Sequence, residues 1–185
     1  MLKFKEGDKG AFDELLDLYQ KPVINIIYRM IQDKTEADDL AQEVFLRVYN
    51  YAKTYKPEAK FLTWIYQITK NICLNELRRQ KKKVVSIDET FSKEDGAFKK
   101  EYASTSASPL EYSYVNEIQE MVKKAIEGLS AKQRMVVILR RYDELSYEDI
   151  ATTMGCSVSA VKSLLNRAKE SLKGKLGPYI SRGDI

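Results

Sequence analysis

The chain has 185 residues, 44% of them hydrophobic, and a formal net charge of +4 drawn from 31 basic and 27 acidic side chains. That length suits one medium domain or two small ones. Two cysteines and no histidine leave too few ligands for a zinc finger, and no run approaches the roughly eighteen apolar residues of a membrane span.

The charge is uneven. Residues 1–83 carry +4, residues 84–127 carry −4, and residues 128–185 again carry +4. Two basic modules therefore flank an acidic connector. The first module is itself divided, with Glu36, Asp38, Asp39 and Glu43 in one stretch and Arg78, Arg79, Lys81, Lys82 and Lys83 in another. Such a split suits a basic partner on one face and phosphate on another, while a plain solvated surface is the other reading.

Met1 to Asp8 has no apolar core, so no signal peptide is expected, and the protein is expected to be soluble and cytoplasmic. Ala11 to Asp33 reads as helix, with Phe12, Leu15, Leu16, Tyr19, Val23, Ile26, Ile27 and Met30 on an apolar face. Pro22 is expected to mark a kink or a new first turn. Thr35 is the expected N-cap of the next helix, with Asp38 in the capping-box position. That helix carries Leu40, Val44, Leu46, Val48 and Tyr49. After a loop with Pro57, residues 59–83 form a further helix with Phe61, Ile65, Ile68, Ile72 and Leu77 facing inwards.

Residues 84–109 lack helical periodicity and read as a flexible linker. Helix resumes near Leu110 and ends at Gly128, and helices over 131–142, 147–154 and 158–175 follow. Gly and Pro are sparse and apolar residues recur at helical spacing. The expectation is an all-α protein of two small helical domains: residues 1–83 and 110–185, joined by 84–109.

The most specific local pattern runs from Ser146 to Leu165. Ser146 caps a helix with Asp149 three residues on, and Ala151 is small where two helices must cross. Gly155 takes the turn, and Ile150, Met154, Cys156, Val161 and Leu164 seal the hairpin. This is a helix-turn-helix, with Cys156 expected as a packed thiol. The second helix exposes Ser157, Ser159, Ala160, Lys162, Ser163, Asn166 and Arg167, residues suited to base edges and phosphates in a major groove.

Glu36-Ala37-Asp38-Asp39-Leu40-Ala41-Gln42-Glu43-Val44-Phe45-Leu46-Arg47-Val48-Tyr49 resembles the region 2 core-binding helix of bacterial sigma factors. Lys60-Phe61-Leu62-Thr63-Trp64-Ile65-Tyr66-Gln67-Ile68-Thr69-Lys70-Asn71 is similar to that family's next helix, ending in the basic Leu77-Arg78-Arg79 run. The helix-turn-helix, with the preceding Leu129-Ser130-Ala131-Lys132-Gln133-Arg134, resembles region 4. With regions 2 and 4 alone, the pattern is that of the extracytoplasmic-function group.

The resemblance implies roles. Asp38, Asp39, Gln42 and Glu43 would dock on a coiled coil of the core RNA polymerase β′ subunit. Tyr55, Lys56, Lys60, Phe61, Thr63, Gln67, Lys70, Asn71, Arg78 and Arg79 would hold the opened minus-ten strand of promoter DNA. Trp64 matches a packed tryptophan of the family, although stacking on a base is the other reading. Ser157, Ser159, Ala160, Lys162, Ser163, Asn166 and Arg167 would read the minus-thirty-five element, and region 4 would also dock on the β flap. Inhibition would come from a separate anti-sigma factor. A stand-alone helix-turn-helix regulator is the alternative; it leaves the acidic and basic helices of the first module unexplained. No catalytic constellation, cofactor site or metal site is expected.

Overall fold

The computed structural model describes residues 1–57, 60–88, 118 and 120–180, and among these there are helices and no strand. The first module comprises α1 (Leu2–Lys5), α2 (Gly10–Ile31), α3 (Lys34–Asn50), a 3₁₀ turn (Ala52–Thr54) and α4 (Phe61–Asp88). Helix α4 runs on past residue 83, where the sequence placed the end of this module. Residues 89–117, which include most of the expected linker and the expected restart near Leu110, lie outside the described residues.

Helices α2 and α3 form the base of the module. Val23, Ile26, Ile27 and Met30 of α2 meet Ala37, Leu40, Ala41, Val44, Phe45 and Val48 of α3, all buried. Ala37 and Ala41 are small and sit one turn apart, which lets the helix axes approach closely. Burying a side chain such as Ile26 or Ile27 contributes about 1.5–3 kcal/mol. From α4, Ile65, Tyr66, Ile72 and Cys73 close the core over them.

Three local expectations are corrected. Pro22 lies inside a single helix, so of a kink or a new first turn the second is overturned. The carbonyl it leaves without an amide partner belongs to Leu18, which is 66% exposed and open to solvent. The cap of α3 is Asp33, not Thr35: its side chain accepts from the Glu36 N–H at 3.0 Å. The reason lies upstream, where Gln32 adopts φ +66° and ends α2, leaving Asp33 as the extended residue between the helices. Leu46 and Tyr49, grouped with the apolar face of α3, are instead 60% and 51% exposed.

The second module contains the helical residues 120–127 (α5), α6 (Ala131–Arg141), α7 (Tyr147–Met154) and α8 (Val158–Ile180). Ser130 opens α6 with a full capping box: it accepts from the Gln133 amide, and the Gln133 side chain accepts from the Ser130 N–H at 3.0 Å. Ser146 opens α7, accepting from the Asp149 N–H at 3.0 Å, and Gly155 closes it at φ +66°. The Cys156 N–H returns to the Ala151 carbonyl, completing the turn. Ile150, Ala151, Thr153 and Val161 are buried in the hairpin. Cys156 is exposed, contrary to the expectation of a packed thiol. The turn points it away from the hairpin, and Thr153 fills the interior instead.

The two modules pack against each other, and their apolar residues form one cluster running from Val23 to Val161. Polar contacts edge the seam. Arg134 of α6 donates to the Met30 carbonyl at 2.7 Å, placing a cation at the carbonyl end of α2. The Arg29 guanidinium lies 3.6 Å from the centroid of the Tyr142 ring. Tyr66 donates to Asp143 at 2.8 Å, and Lys60 pairs with Asp149 at 3.2 Å. The Lys60 side chain is 73% exposed, so that ion pair adds little to stability.

Candidate partner and nucleic-acid surfaces

Asp39, Gln42, Glu43 and Leu46 follow the one-turn spacing of a helix face, and α3 presents them as a stripe. Asp39, Gln42 and Leu46 are exposed, while Asp38 and Glu43 are half-buried at its edges. Arg47 bonds to Glu43 and partly neutralises it. Beside the stripe, a groove of about 700 Å³ opens between α2 and α3, lined by Phe12, Leu16, Ile24, Phe45, Leu46 and Tyr49 with Asp38 and Gln42 at its rim. Its upper end is fixed by Phe4 of α1, whose ring lies 4.9 Å from Phe12 and 5.2 Å from Tyr49. The surface therefore combines acid and exposed hydrocarbon. The acidic part was legible from the sequence; Leu46 and Tyr49 were missed as surface residues.

The proposed minus-ten residues do not all share one environment. Tyr55 is buried, and its ring packs 4.9 Å from Trp64 and 6.0 Å from Phe61. Tyr19 joins the cluster 5.1 Å from Phe61. Burial raises the Tyr55 pKa, with Tyr19 adding to it. Trp64 is half-buried within this cluster, in accord with a packing role. Lys56, Lys60, Asn71, Arg78 and Arg79 are exposed. Arg79 bonds to Glu76 at 2.7 Å and Glu36 at 3.2 Å, which ties α4 back to the start of α3. Arg78 bonds to Asn75 at 3.0 Å.

Gln67 and Lys70 occupy the face of α4 turned to the second module, and Thr63 lies one turn before Gln67. Thr63 is 2% exposed. Gln67 donates to the Thr152 carbonyl at 2.9 Å. The Lys70 ammonium is half-buried, and its pKa is lowered chiefly by burial and further by Lys132 across the seam, with Cys156 opposing. Its charged form is therefore less favoured there than in water.

On α8 the arrangement is open. Ser157, Ser159, Lys162, Ser163, Asn166 and Arg167 are exposed and Ala160 is half-buried. Val161 and Ala168 face inwards on the other side. The Ser157 hydroxyl accepts from the Ala160 N–H at 3.2 Å, so Ser157 acts as the helix cap as well as standing at its exposed start. Lys162 sits 5.7 Å from the Tyr147 ring centroid, which steadies it above the hairpin.

Among the described residues, no group of three or more acidic or cysteine side chains is placed to hold a metal ion, and no helix is long and apolar enough to cross a membrane. Cys73 is fully buried, which pushes its thiol to about 12. It is an inert core residue.

Residues 15–83 match the Sigma-70 region 2 family, and residues 119–172 match Sigma-70, region 4. The RNA polymerase sigma-H factor of Pseudomonas aeruginosa is 34% identical over 183 residues, covering 96% of this chain and 92% of that protein. The ECF RNA polymerase sigma-E factor of Escherichia coli K12 is 32% identical over 184 residues, covering 97% of this chain and 94% of its own. The chain belongs to the extracytoplasmic-function sigma factors. Its fold is that of other sigma factors of known structure. The sigma factor RpoE in complex with the anti-sigma factor NepR from Bartonella quintana superposes with a TM-score of 0.67 at 23% identity, over 90% of this chain and 97% of that one. CnrH in complex with the cytosolic domain of CnrY gives 0.69 at 19% identity, over 96% and 94%. In this sigma factor, the matched region 2 spans α2 to α4 and the matched region 4 spans α5 to most of α8.

Proposed function

We propose that the chain is a sigma subunit that binds bacterial core RNA polymerase and directs it to a set of promoters, each surface having its own task. The acidic and apolar stripe on α3 docks on the β′ coiled coil. Asp39 and Gln42 meet basic and polar groups there, and Leu46 and Tyr49 bury hydrocarbon against it. A lysine-rich or arginine-rich helix is the partner such a stripe fits.

Lys162, Ser163, Asn166 and Arg167 of α8 enter the major groove of the minus-thirty-five element, with Ser157, Ser159 and Ala160 at the leading end. Lys56, Lys60, Gln67, Lys70, Asn71, Arg78 and Arg79 form the track that holds the displaced minus-ten strand. Tyr55 and Phe61 support that track from the aromatic cluster, and Thr63 lies within it. Region 4 also docks on the β flap. Residues 1–83 and 110–185 act as separate modules, with 84–109 tethering them so that both engage one promoter. The chain works in the cytoplasm, catalyses no reaction of its own, and is held in check by an anti-sigma protein; two of the structural neighbours are complexes of that kind.

The observation that carries this reading is the pairing of an exposed acidic stripe on α3 with an exposed basic recognition helix on α8 in one chain. Run-off transcription with core polymerase on a pooled library of promoters from the source genome tests it. Specific transcripts that require the added chain are expected. No transcripts, together with tight sequence-specific binding of duplex DNA by the chain alone, would identify a stand-alone helix-turn-helix regulator.

A further inference from the structure

Glu76 sits on the inward face of α4, three residues after Cys73 and four after Ile72, both of them core residues. Its side chain is 7% exposed, an uncommon position for a carboxylate, and its Oε1 has no hydrogen-bond partner among the described residues. The Arg79 Nε donates to its Oε2 at 2.7 Å. The same guanidinium reaches Glu36, in the first turn of α3, from Nη2 at 3.2 Å. Arg79 is therefore held between a buried carboxylate on its own helix and a more open one on the next.

The two carboxylates are not equivalent. Glu76 cannot give up its cation without leaving a charge stranded at the edge of the core. Glu36 is 33% exposed and holds a single 3.2 Å contact, the kind of surface pair that contributes little. The Arg79 pKa is raised by the Glu76 hydrogen bond first, and Glu36 contributes less. The fork adds a geometric argument. Nε and Nη2 are engaged, while Nη1 has no partner among the described residues. Once Glu36 yields, Nη1 and Nη2 present the two parallel donors that fit a phosphate. Arg78, its neighbour, bonds to neutral Asn75 at 3.0 Å and has no buried anchor among the described residues.

We propose that Glu76 is a positioning residue for promoter DNA: it fixes Arg79 so that the end of the guanidinium takes a backbone phosphate, in the seat that Glu36 holds in the free chain. The inference rests on the reading of α4 as the strand-holding face. Glu76 acts through Arg79 and touches no DNA itself. An arginine loose in solvent loses rotamer freedom when it meets a phosphate, and one already fixed at Nε loses less. Glu36 keeps the fork occupied until the row of charges on a nucleic-acid backbone outcompetes a single exposed carboxylate.

A double-mutant cycle read by DNA binding tests this in the holoenzyme. Core polymerase carrying the full chain is titrated onto a promoter fragment with a pre-melted minus-ten region, at several salt concentrations. Arg79→Ala should lower the salt slope by about 0.7, the value for one single-strand phosphate. Glu76→Gln should weaken binding severalfold in the parent and change nothing in the Arg79→Ala background. Glu36→Gln should tighten binding. Far-UV circular dichroism and affinity for core polymerase should match the parent throughout. Should Arg79→Ala fail to fold, Arg79→Gln, which keeps a donor for the buried carboxylate, takes its place in the cycle. A Glu76→Gln change that costs the same in both backgrounds, or nothing in either, would overturn the proposal, as would weaker binding by Glu36→Gln. Arg79→Ala binding as tightly as the parent, at an unchanged slope, would overturn the reading of α4 as the strand-holding face and the proposal with it.

Discussion

The Tyr66 hydroxyl donates a 2.8 Å hydrogen bond to the Asp143 carboxylate, joining residues 77 positions apart across the seam between the modules. Burial raises the Asp143 pKa, while the Tyr66 bond and the Arg29 charge pull it down by less. Tyr66 stays protonated as the donor, its own pKa raised by burial first and by Asp143 second.

A carboxyl whose folded value is raised binds its proton more tightly in the folded chain. Its stabilising contribution is complete below the ordinary carboxylate value and is lost as pH rises through the raised one. Asp143→Asn keeps an acceptor for Tyr66 without the titration. Urea midpoints measured across that pH window should show the parent losing stability relative to Asp143→Asn as pH rises. Parallel profiles would contradict this placement of Asp143.

The cap at the start of α3 separates two neighbouring residues. Asp33→Ala should cost about 1 kcal/mol in denaturant unfolding, because the Glu36 amide loses its acceptor. Thr35→Ala, inside the first turn, should change stability by no more than about 0.5 kcal/mol. The reverse order would restore Thr35 as the cap.

The helix-turn-helix was legible residue by residue because its requirements are local. Ser146 must cap, Gly155 must take φ near +66°, and Ala151 must leave room for the crossing helix. The boundaries of α7 were met for the same reason. Cys156 was misplaced because one residue after a left-handed turn the side chain no longer follows the helical period. The seam had no local signature at all. Nothing around Tyr66 or Gln67 announces a partner 77 or 85 residues away, and the polar face of α4 reads the same whether it meets DNA or α7. The acidic part of the α3 stripe was legible as charge. Leu46 was not, because an exposed leucine and a buried one look alike until the register of Ala37, Leu40, Ala41, Val44 and Val48 is fixed.

At Gly155 the conformational cost can be isolated. A Cβ there would meet nothing within 4 Å, so Gly155→Ala loses only the freedom to adopt the left-handed region. A loss of roughly 1–2 kcal/mol is expected in thermal or urea unfolding. An unchanged midpoint would mean that the turn relaxes to another geometry.

Lys162→Ala and Arg167→Ala should each weaken promoter-specific transcription without lowering the melting temperature, because both side chains are exposed. A residue that meets phosphate should lower the salt dependence of promoter binding by about one unit of slope. A residue that meets a base edge should cost about 1–3 kcal/mol and relax selectivity at one position of the minus-thirty-five element. Promoter titrations at several salt concentrations, on matched and single-mismatch sites, assign each residue to one class. Wild-type titration curves for both variants would remove α8 from the contact surface.

We propose that this sigma factor joins polymerase through the α3 stripe. Titrating core polymerase into a fluorescently labelled chain, parent against Asp39→Arg, tests it most directly. Asp39 is exposed, so the variant should fold normally. Reversing a charge at the centre of a docking surface should weaken binding by at least about tenfold, or roughly 1.4 kcal/mol. Equal affinity for parent and variant, with both folded, would contradict the claim.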